Sequence, residues 1–179
     1  FGIPIFEKDG FEADDLIAAL TRRWCEQSPE RQVVIVTGDK DLMQLVGPRV
    51  RVWDTMKEKV FGEAEVREKL GVAPAQVRDY LALVGDASDN VPGVPGIGPK
   101  TAAQLLGEQG NLESLLRAAR AGEVPGKKGE ILQEFQAAAL LSRDLVTLKD
   151  DLPVQLSESL RNRFSFSPAC KKLLEELQF

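Results

Sequence analysis

A continuous run of β-branched residues, Val33–Val36, most constrains the fold of this chain. Continuous rather than alternating apolar residues are typical of a strand that is buried on both faces of a helix-covered parallel sheet. Apolar residues at helical spacing precede the run and predict an amphipathic helix from about Ala13 to Gln27; they are Leu16, Ile17, Leu20 and Trp24. The order helix, strand, helix predicts an α/β fold with a largely parallel sheet.

The segments after this run predict the rest of the sheet and then a helical part. The alternating sequence RVRVWDT predicts a second strand, KVF is its candidate hairpin partner, and DLMQLV predicts a short helix. From Glu63 onward every predicted element is a helix; GEILQEFQAAALLSRDLVTL is predicted as one helix, and the last begins at Ser167 and Pro168. We therefore divide the chain into an α/β part at residues 1–70, a helical part at 71–150 and a C-terminal tail with a helix at 151–179.

The chain contains no histidine, which limits the chemistry it can perform. This composition excludes Ser-His-Asp and Cys-His nucleophilic catalysis and the usual zinc sites. Catalysis would have to use carboxylates, lysine or arginine together with oxygen-ligated ions such as Mg²⁺ or Mn²⁺. No apolar run approaches the length of a membrane span, so we expect no membrane partner and a cytoplasmic location.

Three acidic clusters are candidate metal ligands. They are Glu12, Asp14 and Asp15 where a helix begins, Asp39 and Asp41 just past the end of a strand, and Asp86 and Asp89 after a helix. Helix capping is the alternative, since acidic residues stabilise helix N-termini by about 0.3–1 kcal/mol. However, ligands gather at the carboxyl ends of parallel strands, and converging acids without cations would repel by about 4 kcal/mol per pair at 4 Å. The placement therefore predicts a two-metal phosphoryl-transfer site.

The segment VPGVPGIGPKTAAQLL is a candidate phosphate-binding hairpin. It combines a tight turn that a phosphate can approach, a proline that presets the first helical turn, a positive charge and a hydroxyl. The candidate DNA-binding residues are Gly96, Ile97, Gly98, Lys100 and Thr101. An ordinary turn between two helices is the alternative. The pattern favours a helix–hairpin–helix that contacts the DNA backbone without reading bases. The net charge of −5 is compatible with this, because 21 acidic residues stand against 23 basic ones once the seven candidate ligands are left out of the 28.

The sequences GFEADDLIAAL, VTGDKDLMQLV and LVGDASDNVPGVPGIGPKTAAQLL together resemble successive motifs of the 5′-nuclease domain of bacterial DNA polymerase I. That domain belongs to the flap endonuclease superfamily, and RDLVTLKDDLPV resembles the segment that closes it. The resemblance covers nearly the whole chain. It implies a PIN-like, flap-endonuclease-type parallel sheet core, here partial, followed by an all-helical helix–three-turn–helix region. It also implies a nuclease that removes RNA primers and displaced 5′ flaps in replication and repair.

Position by position, the resemblance assigns the seven acids named above to two or more divalent ions, Mg²⁺ or Mn²⁺. It implies that the glycine-rich segment binds the downstream duplex through its phosphates. In several relatives this segment also binds a K⁺ ion through backbone carbonyls. The implied partners are double-stranded DNA with a 5′ flap or RNA primer, and the remainder of the polymerase chain.

One departure from the family pattern concerns its N-terminal region. The family's domain begins with a first strand, two further metal-binding aspartates and a basic helical arch, none of which this sequence contains. We therefore expect the chain alone not to cleave DNA at a useful rate. We also expect an unpaired sheet edge with apolar surface around Val33 and Ile35, and hence marginal stability or self-association. Two other functions stay open: a non-catalytic duplex-binding helix–hairpin–helix module and a free-standing flap endonuclease.

Overall fold

The sheet and its first helix occupy the N-terminal third of the chain. The structure, a computed structural model, describes residues 3–156 and 167–178. Helix α1 spans Ala13–Glu26, and strands β1 (Val33–Val36), β2 (Val50–Asp54) and β3 (Lys59–Phe61) form a sheet in that order. Strands β1 and β2 are parallel, and β2 and β3 are antiparallel. A short 3₁₀ helix at Asp41–Leu45 connects β1 to β2, so the predicted parallel pair, hairpin and short helix are all present.

The elements described after β3 are all helical. They are α2 (Glu63–Leu70), α3 (Val77–Val84), α4 (Pro99–Gln109), α5 (Leu112–Arg120), α6 (Lys127–Glu134), α7 (Gln136–Val146) and α8 (Pro168–Glu176), with a 3₁₀ turn at Pro74–Gln76. The side chain of Ser167 accepts a hydrogen bond from the Cys170 N–H at 3.1 Å, which caps α8 as predicted. An α/β part followed by a helical part is therefore confirmed. The predicted tail at 151–179 lies partly outside the described residues.

The prediction of one long helix after residue 128 is wrong. The helix is interrupted at Phe135, where the backbone leaves the helical region with φ −98° and ψ 20°. Helix α6 packs against α5, whereas α7 packs against α3. The two apolar faces thus meet different neighbours, and a single straight helix could not serve both. The sequence carries no glycine or proline at this break.

The prediction that β1 is buried on both faces is also wrong. In the described part of the chain β1 is an edge strand, with Val34 57% and Val36 59% exposed and Ile35 only 5% exposed. Side chains alternate along a strand, so Ile35 enters the core while its two neighbours face outward. The unpaired edge was expected, but its exposed apolar side chains are Val34 and Val36 rather than Val33 and Ile35. They line an open apolar groove of about 500 Å³ beside α1.

Two apolar clusters hold these elements together. The larger joins the sheet to the helices and contains residues such as Ile35, Val52, Leu81 and Leu106. The smaller joins α1 to the chain after α7 through Leu16, Ala19, Leu152 and Val154. This second cluster places the C-terminal segment beside the start of α1. None of the helices in the described ranges combines the length and apolar character needed to cross a bilayer.

Candidate metal centre and candidate DNA-binding hairpin

The loop after β1 presents Asp39 and Asp41 at the carboxyl end of the strand. Thr37 Oγ1 accepts a hydrogen bond from the Asp39 N–H at 3.0 Å, and Asp39 Oδ1 accepts one from the Asp41 N–H at 2.9 Å. These bonds turn the chain out of the sheet and into the 3₁₀ helix that begins at Asp41. Asp39 therefore holds the main chain at the first residue of this short helix, and the carboxylate of Asp41, 9% exposed, remains at the carboxyl end of the sheet.

Asp86 and Asp89 lie on a tight loop after α3. Asp86 and Val91 exchange two main-chain hydrogen bonds, at 3.0 and 2.8 Å, which close the loop. Gly85 and Gly93 cross next to each other at its base with φ of 77° and 64°. A Cβ on Gly93 would lie 2.5 Å from the Gly85 nitrogen, so only glycine fits this crossing. The loop buries Asp86 and leaves Asp89 exposed.

The structure brings Asp41, Asp86 and Asp89 together. One carboxylate oxygen from each lies within 4.8 Å of the other two. Burial, followed by the charges of Asp39 and Asp86, raises the pKa of Asp41 to about 7. Asp41 Oδ1 is buried and has no hydrogen-bond partner among the described residues, which is a costly state for a carboxylate oxygen. Clustered carboxylates with an unsatisfied oxygen are what a hard divalent cation requires, so these residues fit such an ion.

Lys40 supplies positive charge within this cluster. Its Nζ lies 2.9 Å from Asp86 Oδ2, and the Ser88 N–H donates a hydrogen bond to Asp86 Oδ1 at 2.9 Å. Burial by itself would raise the pKa of Asp86. The Lys40 and Ser88 contacts outweigh burial and hold that pKa below its ordinary value. Asp86 is therefore kept ionised and oriented by the protein itself.

Asp14 adds a further carboxylate from the first turn of α1. Burial, followed by the charges of Asp39, Glu12 and Asp89, raises the pKa of Asp14. Asp14 therefore lies close enough to the other two acidic segments to interact with both. Glu12 precedes α1, is exposed and makes no capping hydrogen bond with its side chain.

Asp15 has a different environment from its neighbour Asp14. It is buried, and one carboxylate oxygen accepts a hydrogen bond from the Lys149 N–H at 2.8 Å. This bond ties α1 to the segment after α7, next to the small apolar cluster that contains Leu152. The structure therefore gives Asp15 a structural contact and leaves it outside the Asp41–Asp86–Asp89 group.

The predicted hairpin connects the acidic loop to α4. Gly96 has φ of 80°, and the Ile97 N–H donates a hydrogen bond to the Val94 carbonyl at 3.0 Å. A Cβ on Gly98 would meet nothing within 4 Å, so the N-terminus of α4 is open to solvent, and Lys100 beside it is exposed. The side chain of Ile97 is 3% exposed and belongs to the core, so its main chain is the part that a phosphate could contact. Thr101 is partly buried in the first turn of α4.

Sequence reasoning missed a group of lysines beside the acidic cluster. A cavity of about 350 Å³ is lined by Lys40, Lys57, Lys69, Asp39, Asp86 and Asp89, together with Gly38 and Ser88. Lys40 lies within the TGDKD motif, but Lys57 and Lys69 come from other elements and show no motif in the sequence.

Solved structures share this fold. A mutant T5 5′-exonuclease matches with a TM-score of 0.72 at 24% identity, over 83% of this chain and 60% of that chain. The T5 5′-exonuclease with bound divalent metal ions (zinc) matches with a TM-score of 0.73 at 24% identity, over 83% of this chain and 54% of that chain. The catalytic core of Rad2 in complex with a DNA substrate matches with 0.54 at 16% identity, over 94% of this chain and 57% of that chain. At these identities the likeness concerns the fold alone.

Curated relatives are more similar in sequence. DNA polymerase I of Rhizobium leguminosarum is 49% identical over 156 residues, which cover 87% of this chain and 15% of that protein. A 5′-3′ exonuclease of Aquifex aeolicus is 42% identical over 180 residues, covering 99% of this chain and 58% of that protein. DNA polymerase I of Bacillus caldotenax is 44% identical over 163 residues, covering 88% of this chain and 18% of that protein. The chain thus spans between 15% and 58% of the length of these relatives.

Two family models match adjoining parts of the chain. Residues 1–71 match the model described as the N-terminal resolvase-like domain of 5′-3′ exonuclease. Residues 72–167 match the model described as its C-terminal SAM fold. The chain therefore belongs to the 5′-3′ exonuclease family.

Proposed function

We propose that this chain is the metal-binding and duplex-binding portion of a structure-specific 5′ nuclease that hydrolyses phosphodiester bonds. Its substrates would be 5′ flaps and RNA primers on duplex DNA. The convergence of Asp41, Asp86 and Asp89 within 4.8 Å carries the proposal, in a chain that belongs to the 5′-3′ exonuclease family. We further propose that the parent protein is a DNA polymerase I, the name that relatives from Rhizobium leguminosarum and Bacillus caldotenax bear.

Asp41, Asp86 and Asp89, with Asp39 and Asp14 beside them, would hold two divalent ions. Oxygen ligands of this kind favour Mg²⁺ or Mn²⁺ over softer metals. When bound, such ions activate a water molecule and stabilise negative charge on the phosphoryl oxygens. The T5 5′-exonuclease, which shares this fold, has been solved with divalent metal ions, and this supports the proposal.

The protein's own residues prepare this site. Lys40 and the Ser88 N–H hold Asp86 in one orientation, and the loop that main-chain bonds close between Asp86 and Val91 carries Asp89. Because the pKa of Asp41 is raised to about 7, mainly by burial, its carboxyl is partly protonated near neutral pH in the absence of a cation. A ligand oxygen must be deprotonated, so cation binding should release a proton from Asp41. The affinity for the cation should therefore increase as the pH rises from 6 to 8.

The hairpin would hold the duplex through phosphates. The open N-terminus of α4 at Gly98 and the exposed Lys100 offer main-chain N–H groups and a positive charge to an anion. The K⁺ ion implied by the family resemblance would sit on main-chain carbonyls of the turn before α4. Duplex affinity in K⁺ and in Na⁺ at equal ionic strength would then differ.

Calorimetry with Mn²⁺ tests the proposed metal centre. The wild-type chain should bind Mn²⁺, and Asp41→Asn should bind it at least about tenfold more weakly. Asp144→Asn should behave as wild type, because Asp144 is exposed and belongs neither to the carboxylate cluster nor to the lining of its cavity. Absence of Mn²⁺ binding by the wild-type chain would contradict the proposal. A chain that still bound duplex DNA would then fit a non-catalytic helix–hairpin–helix module.

A further inference from the structure

Three lysines from separate elements meet beside the acidic cluster. Lys40 lies on the loop after β1, Lys57 on the turn between β2 and β3, and Lys69 near the end of α2. All three line the cavity of about 350 Å³ that Asp39 and Asp86 also line. A nucleic-acid strand placed over the carboxylates would therefore pass the lysines as well.

Lys69 differs from the other lysines of the region in its partners. Lys40 lies 2.9 Å from Asp86, and Lys57 lies 2.7 Å from the buried Asp54. For Lys69 no carboxylate lies within 4.0 Å in the parts of the chain that the structure describes. Its ammonium group lies 4.6 Å from the centre of the Phe61 ring, which supports it from one side.

The surroundings of Lys69 favour an anion on its open side. Partial burial, followed by the charge of Lys57, lowers the pKa of Lys69. An anion placed between Lys57 and Lys69 would relieve the repulsion between the two ammonium groups and stabilise their charged forms. Lysine is a common phosphate ligand, because its ammonium group acts as a compact point charge that does not require one fixed geometry.

We propose that Lys69, assisted by Lys57, binds a backbone phosphate of the nucleic-acid strand whose reacting phosphodiester lies at the Asp41–Asp86–Asp89 cluster. This inference rests on the proposed function. It assigns Lys69 a positioning role: the lysine holds a neighbouring phosphate, and the carboxylates serve the reacting one. Lys57 contributes less, because Asp54 already offsets its charge.

Lys59 is a matched control for Lys69. Both ammonium groups lie over the same Phe61 ring, Lys59 at 5.4 Å and Lys69 at 4.6 Å from its centre. Lys59, however, lies 3.2 Å from Glu68 and does not line the cavity with the aspartates. If only the loss of one positive charge mattered, replacing either lysine would weaken DNA binding equally. If Lys69 binds a phosphate, replacing Lys69 would weaken DNA binding more than replacing Lys59.

The test measures binding of a fluorescently labelled 5′-flap duplex to the full chain by anisotropy in Mn²⁺, between 50 and 200 mM salt. Lys69→Gln should weaken binding about eightfold at 0.1 M salt and lower the salt slope by about 1, as expected for one lost phosphate contact. Lys59→Gln should bind as wild type, and Lys69→Arg should restore most of the affinity. Circular dichroism would verify that each variant is folded.

Calorimetry with Mn²⁺ separates this inference from the proposed function. Lys69→Gln should bind Mn²⁺ as the wild-type chain does. Unchanged flap affinity in Lys69→Gln, with Mn²⁺ binding that still depends on Asp41, would overturn the inference and leave the proposed function standing. Equal losses in Lys69→Gln and Lys59→Gln, or a loss of Mn²⁺ binding in Lys69→Gln, would also overturn it. A wild-type chain that bound neither Mn²⁺ nor flap DNA would overturn both.

Discussion

Raising the pH from 5 to 7 in the absence of divalent ions should destabilise this chain through Asp41. Burial, followed by the charges of Asp39 and Asp86, raises the pKa of Asp41 from 3.8 to about 7 in the folded state. A carboxyl group with a raised folded-state pKa holds its proton more tightly in the folded chain than in the unfolded one. Its stabilising contribution is therefore complete below the unfolded pKa of 3.8 and is lost as the pH rises through about 7.

The size of this effect follows from the pKa difference. Each pKa unit corresponds to about 1.36 kcal/mol, so the whole shift corresponds to about 4 kcal/mol, of which about 2 kcal/mol falls between pH 5 and pH 7. The chain has no histidine, and the carboxyls with lowered pKa values (Asp54, Glu65, Asp86 and Glu113) titrate below this range. Asp14, whose pKa is raised mainly by burial, acts in the same direction as Asp41. A loss of about 2 kcal/mol is a large part of the 5–15 kcal/mol typical of a folded domain.

Urea unfolding followed by circular dichroism, in EDTA at pH 5 and pH 7, measures this loss. The wild-type chain and the control Asp144→Asn should both lose about 2 kcal/mol of unfolding free energy. Asp41→Asn cannot ionise at this position and should lose much less. Mn²⁺ added at pH 7 should stabilise the wild-type chain more than Asp41→Asn at the same concentration. If Asp41→Asn kept the full pH dependence, the reasoning about burial and neighbouring charge would be refuted.

Three further predictions concern the hairpin, catalysis and the sheet edge. Gly98→Val should weaken duplex binding by obstructing the open start of α4, and unchanged affinity in this variant would exclude the hairpin as the duplex-binding element. Lys100→Ala should lower the slope of binding affinity against salt concentration by about 1, whereas Lys128→Ala should leave that slope unchanged. Anisotropy titrations at several salt concentrations measure both effects. The chain alone should cleave a 5′-flap substrate with Mg²⁺ or Mn²⁺ at no useful rate. Robust cleavage that disappears in Asp39→Asn would contradict this expectation, because the seven candidate acids would then be sufficient for cleavage. Val34→Lys should reduce self-association in sedimentation velocity by placing a charge on the exposed edge strand β1, and a wild-type chain that is monomeric at high concentration would contradict the expectation.

The local patterns of the sequence predicted most of the elements. The alternation in RVRVWDT indicates a half-buried strand, and β2 has this burial pattern from Val50 to Asp54. Ser167 and Pro168 mark the start of α8, and Gly71 and Gly85 follow the ends of α2 and α3. These signals work because alternation, caps and left-handed glycines depend on neighbours only a few residues away.

Burial and long-range contacts were decided only by the tertiary structure. Val33–Val36 reads as a fully buried strand, yet Val34 and Val36 are exposed, because burial depends on which elements cover each face and not on the strand itself. Asp14 and Asp15 are adjacent in one acidic motif, but the Lys149 N–H, 134 residues away, engages Asp15 alone. No local pattern records a partner at that distance.

At the candidate site, too, the sequence predicted the residue types and the tertiary structure decided the distances between them. The sequence by itself determined which carboxylates were available, because Asp41, Asp86 and Asp89 stand where a strand or a helix ends. Only the packing of α3 beside the 3₁₀ helix at Asp41–Leu45 brought their oxygens within 4.8 Å. The packing of α2 against β3 placed Lys69 beside the cavity that Asp39 and Asp86 line, and no sequence motif indicated this position. Residue type and local spacing are properties of the chain, whereas distances between remote side chains arise from burying apolar surface across the whole fold.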